Sequence, residues 1–359
     1  MNKYTFIGLL LILILIPVSL TAQGTNELQM ESAKTIQATD ALGHTIVMNA
    51  YPKRIIAAGK STLIVSDALY LFPEARNHVV GLGLTNQGMG DFYSYIAPEF
   101  LTTDRYAHSV SAEELASENP DLVLIKSRNY ESLGTQLELL GIPVFTMNLE
   151  NPETFTDEIN QLSILLGEEQ RAKDIEQFYA QALLEVERNA KSIETEDSTL
   201  LLYCSAKDGV TAFQSAPASW IQTYITETAG AQAIWKEANM GSGWKKINFE
   251  QIASWDPERI YLVSYKVPVS QFIDEIERSD AWQNLKAAKN SQIKAFPADF
   301  HNWAQPDTRW ILGLQWLSQD LTGSSSDFTE KIKTFYTELY QITDEQTLKD
   351  IILRYEKSL

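Results

Sequence analysis

Four segments of this chain place cationic, aromatic or imidazole side chains where a predicted strand gives way to a helix or a loop. Side chains of these types can hold an anionic or flat ligand, because cations pair with anions, a helix N-terminus attracts negative charge and rings form an apolar wall. The candidate ligand-binding residues are Lys60, Ser61, Met89, Tyr93, Tyr95, Lys126, Arg128, His301, Trp303 and Arg309, together with Trp244 in a further loop.

Several of these residues also have a purely structural interpretation. Lys60 and Ser61 could cap a helix and leave the lysine solvated, and Lys126 and Arg128 could be ordinary surface cations. The aromatic residues in the loop at residues 86–95 have no core periodicity, which favours a binding surface. In the segment at residues 296–310, we expect the candidates to project at the rim of a cleft.

The histidines do not predict a resident metal site. His301 could ligate a metal directly or contact only the outer atoms of a chelated one. The remaining histidines, His44, His78 and His108, are scattered without paired spacing. A closed zinc site or a bare-metal site is therefore not expected.

Catalytic motifs are equally sparse. Residues 59–62 read Gly-Lys-Ser-Thr, like the end of a phosphate-binding loop, but Arg54 stands where that motif needs a glycine. The sequence contains neither Gly-x-Ser-x-Gly nor His-Glu-x-x-His. We therefore predict that the protein is not an enzyme, and a secreted hydrolase with the same architecture is the rival function of a different class.

Composition limits the partners. A formal net charge of −18 repels nucleic acid and anionic lipid, so neither is an expected partner. The single cysteine, Cys204, cannot form an internal disulfide, and its apolar surroundings predict a buried, unreactive thiol. The length of 359 residues is sufficient for two domains.

The first 22 residues have the pattern of a cleaved signal peptide. Lys3 is followed by an apolar run at residues 6–16 and by small residues before Gln23. A membrane anchor is the alternative, although the apolar run is shorter than the ~20 residues that a span needs. No cysteine stands at the cleavage point, so a lipid anchor is not expected.

Strands that alternate with helices are expected to position the candidate side chains. This alternation predicts an α/β fold with mostly parallel sheets covered on both faces, and loops at the carboxyl ends of the strands then face the ligand. The expected segments are the signal peptide at residues 1–22, an N-terminal lobe at 34–150, a linking helical segment at 151–193, a C-terminal lobe at 198–322 and a C-terminal helical extension at 327–359.

Two details support two similar lobes. Residues 110–125 (VSAEELASENPDLVLI) and 247–262 (INFEQIASWDPERIYL) share a short helix, a proline and a buried strand, and each helix carries a glutamate in its first turn, Glu113 or Glu250. Between the lobes, helical periodicity interrupted at Gly167 predicts a helix of roughly 22 residues, or about 33 Å, which could bridge them.

These elements resemble those of the periplasmic substrate-binding proteins of ABC importers for iron-siderophores, haem and vitamin B12. The resemblance rests on residues 39–43 with 52–56, 113–123, 141–144, the long helix and 250–257. It covers the chain from Thr35 to Leu321. It implies two Rossmann-like lobes joined by one long bridging helix, with the ligand in a cleft between them and little hinge motion.

The resemblance also implies a transport function. Glu113 and Glu250 match glutamates that dock onto arginines of a permease dimer, which works with its ATPase. Alternatively, both carboxylates only stabilise helix N-termini. We expect a periplasmic monomer without an intrinsic cofactor that binds a metal chelate, first of all a ferric siderophore. The candidate aromatic residues favour haem or a corrinoid, and the cations also fit an oxyanion such as molybdate or tungstate.

Overall fold

The computed structural model describes residues 35–85, 88–96, 103–150, 152–193, 197–324 and 326–359. The predicted signal peptide at residues 1–22 and the first two residues of the aromatic loop, Asn86 and Gln87, lie outside the described residues. No helix in the described ranges is both long and apolar enough to cross a membrane.

The N-terminal lobe is built on a five-stranded parallel sheet. A two-stranded antiparallel hairpin precedes it. The sheet has the strand order β5-β4-β3-β6-β7. The elements are β1 (Ile36–Thr39), β2 (Thr45–Met48), β3 (Ile55–Ala58), α1 (Thr62–Leu69), α2 (Pro73–Arg76), β4 (Val79–Gly83), α3 (Tyr93–Ile96), β5 (Asp104–Tyr106), α4 (Ala112–Ser117), β6 (Leu122–Lys126), α5 (Thr135–Leu139) and β7 (Val144–Met147).

The central strands of this sheet are apolar along their whole length because helices cover both faces. Every residue of β3, β6 and β7 is buried, and these strands pair in parallel. Continuous rather than alternating burial is what a doubly covered parallel sheet requires. All loops that follow β3, β5, β6 and β7 consequently leave the sheet at the same edge.

Two helices connect this lobe to the next sheet. They are α6 (Pro152–Leu166) and α7 (Glu169–Ala190), which has 22 residues as predicted. Gly167 separates them with a φ of +76°, a left-handed conformation that glycine adopts at low cost.

The C-terminal lobe contains a mixed six-stranded sheet. Its strand order is β11-β9-β8-β12-β13, and β10 also pairs with β8. The elements are β8 (Ser198–Lys207), β9 (Val210–Ser215), α8 (Ile221–Thr228), β10 (Gln232–Ala233), β11 (Lys245–Ile247), α9 (Phe249–Trp255), β12 (Arg259–Val263), α10 (Ser270–Glu277), α11 (Asp280–Gln283), α12 (Lys286–Lys289), β13 (Ile293–Ala295) and α13 (Trp310–Leu321). Strands β8, β12 and β13 are parallel, whereas β9 and β11 run antiparallel to their neighbours. The prediction of an α/β fold with two lobes and mostly parallel sheets is confirmed.

The last residues form two helices, α14 (Thr329–Tyr340) and α15 (Glu345–Glu356), which we call the C-terminal clasp. The guanidinium of Arg76, at the end of α2, donates to the Tyr340 carbonyl in the clasp at 3.0 Å. Arg171 on α7 donates to the Leu339 carbonyl at 2.6 Å. The clasp is therefore tied to the N-terminal lobe as well as to α7.

The repeated sequence unit forms the same local structure in both lobes. Ser111 caps α4 by accepting from the Glu114 N–H, and Asn248 caps α9 by accepting from the Gln251 N–H. Asn119 and Asp256, the residues before the two prolines, both have positive φ, at 50° and 43°. Asn and Asp tolerate this conformation better than most residues, which explains why the repeat keeps one of them there.

Candidate ligand cleft

A cleft of about 510 Å³ lies between the two lobes. Its N-terminal wall comes from loops at the carboxyl ends of β3, β5, β6 and β7 and from the start of α1. The lining residues on this side are Lys60, Ser61, Ile64, His108, Arg128 and Glu150. The C-terminal wall comes from β8, the loop after β12, the starts of α8 and β11 and the segment before α13. It consists of Tyr203, Trp220, Gln222, Trp244, Tyr265, Lys266, Gln305 and Pro306.

The loop at residues 59–61, which carries Lys60 and Ser61, has a constrained backbone. Gly59 and Ser61 both have left-handed φ values, +89° and 58°. A Cβ on Gly59 would lie 3.2 Å from the Asn129 amide, whose Nδ2 donates to the Lys60 carbonyl at 2.8 Å. The Arg128 guanidinium in turn donates to Ser61 Oγ. Such strained residues persist where the surroundings fix them, and here the two loops fix each other.

Lys126 lies beneath the cleft rather than in it, contrary to the expected exposed cation. It is 1% exposed, and its Nζ lies 2.8 Å from Glu150 Oε1. Burial lowers the pKa of Lys126, although Glu150 opposes this effect. Lys126 is buried because it is the last residue of the buried strand β6 and not part of the loop that follows. Lys126 positions the Glu150 carboxylate, which does reach the cleft.

The segment that carries Glu150 is itself held by a buried acid. Leu149 has a φ of 55°, and Glu158 on α6 accepts the backbone N–H groups of Asn148 and Leu149 at 2.6 and 3.0 Å. Burial raises the pKa of Glu158 despite these two hydrogen bonds. The cleft therefore presents one carboxylate at a defined position among its cations.

The exposed cations of the cleft form no ion pairs with other described residues. Lys60, Arg128 and Lys266 are exposed, and no ion pair joins any of them to another described residue. The Glu150 charge is already balanced by Lys126. The cleft therefore carries a net positive charge on a protein whose formal net charge is −18, and such a local field favours an anionic ligand.

The C-terminal wall is a continuous array of four rings, which we call the aromatic shelf: Tyr203, Trp220, Trp244 and Tyr265. Tyr203 stacks on Tyr265 with ring centroids 4.9 Å apart and lies 4.7 Å from Trp244. Trp220 meets Trp244 edge to face at 5.5 Å. Tyr203, Trp220 and Trp244 keep part of their surface exposed to the cleft.

The floor of the cleft contains two buried amides with unsatisfied atoms. Gln222 and Gln305 are each 1% exposed. Gln222 Nε2 donates to the Ala304 carbonyl at 2.7 Å, which fixes its orientation and leaves Oε1 without a hydrogen bond. Gln305 Nε2 also lacks an acceptor. Unsatisfied buried polar atoms are costly, so the floor is suited to a ligand that brings both a donor and an acceptor.

Three residues expected at the cleft rim lie in the interior instead. His301, Trp303 and Arg309 are 0–1% exposed and line no part of the 510 Å³ cleft. The clasp covers two of them: Trp303 stacks on Tyr355 at 5.2 Å with ring planes 4° apart, and Arg309 Nε donates to Tyr336 Oη at 2.9 Å. The third, His301, lies edge to face with Phe92 of the N-terminal lobe. Their expected placement is wrong because the packing of the clasp converts a surface loop into core.

Arg309 is the cation of a buried charge cluster that joins the lobes. Its Nη1 contacts Asp67 on α1, and its Nε lies 3.1 Å from Asp299 Oδ1. Its guanidinium also sits 4.2 Å from the centre of the Phe92 ring. The Tyr336 hydroxyl donates to Asp299, and Trp303 Nε1 donates to the same carboxylate at 3.0 Å. The cluster therefore connects the N-terminal lobe, the C-terminal lobe and the clasp.

The same cluster contains Asp67, His301 and Asp307, whose donor atoms lie within 4.8 Å of one another, a spacing compatible with a metal ion. Arg309, however, already contacts Asp67 and lies 3.7 Å from Asp307 Oδ2. Burial raises the pKa of Asp307 well above its usual range. Burial also acts to raise the pKa of Asp67, but the interactions with Arg309 and His301 outweigh it, so the pKa of Asp67 is lowered. The Arg309 guanidinium therefore offsets part of the negative charge of these carboxylates.

The aromatic loop also lies away from the cleft. Tyr93 is 4% exposed and donates to Asp67 Oδ1 at 2.7 Å, and the ring of Tyr95 packs edge to face on Phe300 at 5.0 Å. Met89 lines a separate pocket of about 190 Å³ beside Arg354. The rings of this loop therefore pack in the interior or against Phe300, not on the ligand side.

Four sequence candidates do line the cleft: Lys60, Ser61, Arg128 and Trp244. Sequence reasoning missed the two residues that follow β12, Tyr265 and Lys266, although the repeat contained the signal. With residues 110–125 aligned on 247–262, Arg128 corresponds to Tyr265 and the next position to Lys266. His108 was set aside as a scattered histidine, but it follows β5 at the same sheet edge.

Comparison with known proteins gives a consistent result. Residues 93–300, more than half of the chain, match the family model described as "Periplasmic binding protein". The Fe(3+)-citrate-binding protein YfmC of Bacillus subtilis (strain 168) is 21% identical over 288 residues, which cover 79% of this chain and 83% of that protein.

Solved structures share the fold. An ABC transporter solute binding protein from Sulfurospirillum deleyianum DSM 6946 superimposes with a TM-score of 0.70 at 20% identity, covering 89% of this chain and 99% of that one. The molybdate periplasmic binding protein MolA of Haemophilus influenzae gives a TM-score of 0.67 at 18% identity, covering 86% of this chain and 99% of that one.

Proposed function

The chain belongs to the periplasmic binding protein family, and from this premise we propose that it captures an anionic iron chelate in the cleft between its lobes and delivers it to an ABC-transporter permease. The observation that carries the proposal is the set of unpaired cations in the cleft: Lys60, Arg128 and Lys266. The members and relatives compared above are solute-binding proteins rather than enzymes, which supports binding without catalysis.

The size and polarity of the cleft favour a chelate over a bare oxyanion. A volume of about 510 Å³ lies within the range of roughly 300–1,000 Å³ that is usual for small-molecule sites. A tetraoxyanion offers only acceptors, whereas Gln222 Oε1 and the Glu150 carboxylate are acceptors themselves. A ligand that carries hydrogen-bond donors as well as negative charge satisfies both. The Bacillus relative named for ferric citrate supports iron as the metal.

Delivery would use the two repeated glutamates. Glu113 and Glu250 are exposed, occupy the second helical position after a capping residue, and make no ion pair within the described part of the chain. Equivalent negative charges on two lobes suit a partner with two-fold symmetry. In this proposal the chain is exported, loses the signal peptide at residues 1–22 and acts as a periplasmic monomer.

Binding of ferric citrate by the purified protein lacking residues 1–22, measured by isothermal titration calorimetry, tests the proposal. We expect saturable one-to-one binding, and an affinity about tenfold lower in Lys60→Gln, because a hydrogen bond to a charged group contributes ~1.5–3 kcal/mol. Lys173→Gln on α7 removes an equal charge from an exposed site outside the cleft and should bind like the parent protein.

Molybdate and two ferric chelates, a trihydroxamate and a tricatecholate, complete the panel. Binding of any ferric chelate that Lys60→Gln weakens supports the function. Binding of molybdate alone would replace the iron chelate by an oxyanion, and failure of every ligand would overturn the proposal.

A further inference from the structure

We propose that the aromatic shelf makes the cleft selective for iron chelates that carry aryl groups over aliphatic polycarboxylate chelates such as ferric citrate. This inference rests on the proposed function and specifies the ligand class of the same cleft. Its basis is the chemical difference between the two walls.

The two walls offer different interactions. The N-terminal wall supplies Lys60, Arg128 and His108, which are cationic or polar groups on loops that follow strands. The C-terminal wall supplies the four rings of the shelf and a single cation, Lys266. A ligand that fills both halves must therefore carry negative charge on one side and flat apolar surface on the other.

The shelf does not have the geometry of a core cluster. Tyr203 lies within β8 and pairs with Val263, the last residue of β12, so its ring stands where the parallel part of the sheet ends. Trp220 is the residue before α8, and Trp244 directly precedes β11. Three different connections thus converge on one surface, and three of the four rings remain only partly buried.

The shelf is also preformed. Tyr203 is fixed between Tyr265, at 4.9 Å, and Trp244, at 4.7 Å. The Tyr265 hydroxyl accepts from Gln222 Nε2 at 3.1 Å. Because the rings are already held by one another, an incoming aryl group gains stacking without having to order them. Citrate has no π surface, so it would cover these rings without a matching interaction.

The floor of the cleft suits the polar edge of an aryl chelate. Gln222 Oε1 needs a donor and Gln305 Nε2 needs an acceptor. Ring substituents such as a free hydroxyl or an amide group provide both at the edge of a flat group that stacks on the shelf. The anionic oxygens around the iron would then face Lys60 and Arg128.

The test compares two ferric complexes by isothermal titration calorimetry: ferric citrate and ferric tris(2,3-dihydroxybenzoate). We expect the parent protein to bind the aryl complex at least about tenfold more tightly. Trp244→Leu should weaken the aryl complex about threefold to tenfold, the range that aromatic pairs contribute, and should weaken ferric citrate by a clearly smaller factor.

Trp255→Leu is the matched control, because Trp255 is a half-buried tryptophan of the same lobe that does not line the cleft. It should leave both affinities unchanged. Trp220→Leu probes the same shelf from a second position, so that a folding defect in the Trp244 variant does not decide the result.

The outcomes separate this inference from the proposed function. A parent protein that prefers ferric citrate, or shelf variants that weaken both complexes equally, would overturn selectivity for aryl groups while leaving iron-chelate binding intact. If neither complex binds and no other ferric chelate of the panel does, the proposed function fails and the inference fails with it.

Discussion

Removal of the buried guanidinium by Arg309→Met should destabilise the protein by about 4 kcal/mol. Arg309 is 0% exposed and touches two carboxylates, Asp67 and Asp299, that are equally inaccessible to water. At an effective dielectric constant of about 20, one ion pair at 3.1 Å corresponds to roughly 5 kcal/mol of Coulomb attraction. Part of this attraction offsets desolvation, and removal of one partner from a buried pair typically costs about 3–5 kcal/mol.

The loss should depend on pH in a defined direction. Since Arg309 helps to lower the pKa of Asp67, this carboxylate contributes stability at neutral pH that disappears as the pH falls through its folded pKa. In the variant, Asp67 must be buried without its cation, and protonation of this carboxylate relieves that cost. The difference in unfolding free energy between parent and variant should therefore be largest at neutral pH and smaller near about pH 4.

Urea denaturation followed by tryptophan fluorescence at both pH values measures this difference, and thermal unfolding should show a melting temperature lower by roughly 6 °C. Lys333→Met is the control, because Lys333 pairs with Glu330 on the surface of α14 and should cost less than about 1 kcal/mol. A loss below about 1 kcal/mol for Arg309→Met, or a loss that does not change with pH, would refute the role assigned to the cluster.

Two further predictions concern delivery and the single thiol. Glu113→Gln and Glu250→Gln should each abolish stimulation of the cognate transporter's ATPase in lipid vesicles, while the affinity for ferric citrate stays unchanged. The control is Glu114→Gln, which changes an exposed neighbour and should retain stimulation. Full stimulation by the Glu113 and Glu250 variants would contradict docking through these carboxylates. Cys204 is 0% exposed, and burial raises the pKa of its thiol. The rate of Cys204 alkylation in urea, measured by mass spectrometry, should therefore follow global unfolding of the protein. Rapid labelling in native buffer would contradict the burial of this thiol.

Periodicity and turn chemistry were sufficient to predict most of the architecture. The apolar spacing on either side of Gly167 predicted a second helix of roughly 22 residues, and α7 has that length. The repeated Asn-Pro and Asp-Pro steps predicted equivalent helix ends in two lobes. These features are local, so they can be inferred from neighbouring residues alone.

The cleft was only partly predictable, because burial of a loop depends on distant segments. Lys60 and Arg128 line the cleft as their positions after strands suggested, and their contact with a ligand stays a prediction. Trp303 and Arg309 have residue types typical of binding sites, yet the clasp packs over them, and His301 is buried against Phe92 of the other lobe. No pattern near residue 300 indicates that helices at residues 329–356 will pack over it.

The charge cluster also affects when this protein can finish folding. Asp67 meets Arg309 242 positions later in the chain, and its carbonyl accepts from the Tyr340 hydroxyl 273 positions later. During synthesis, α1 therefore emerges long before the groups that neutralise its acid. Contacts between such distant residues are slow to form because loop closure must precede them. The N-terminal sheet can assemble early, but the acid of α1 remains without its cation until Arg309, just before α13, has been made.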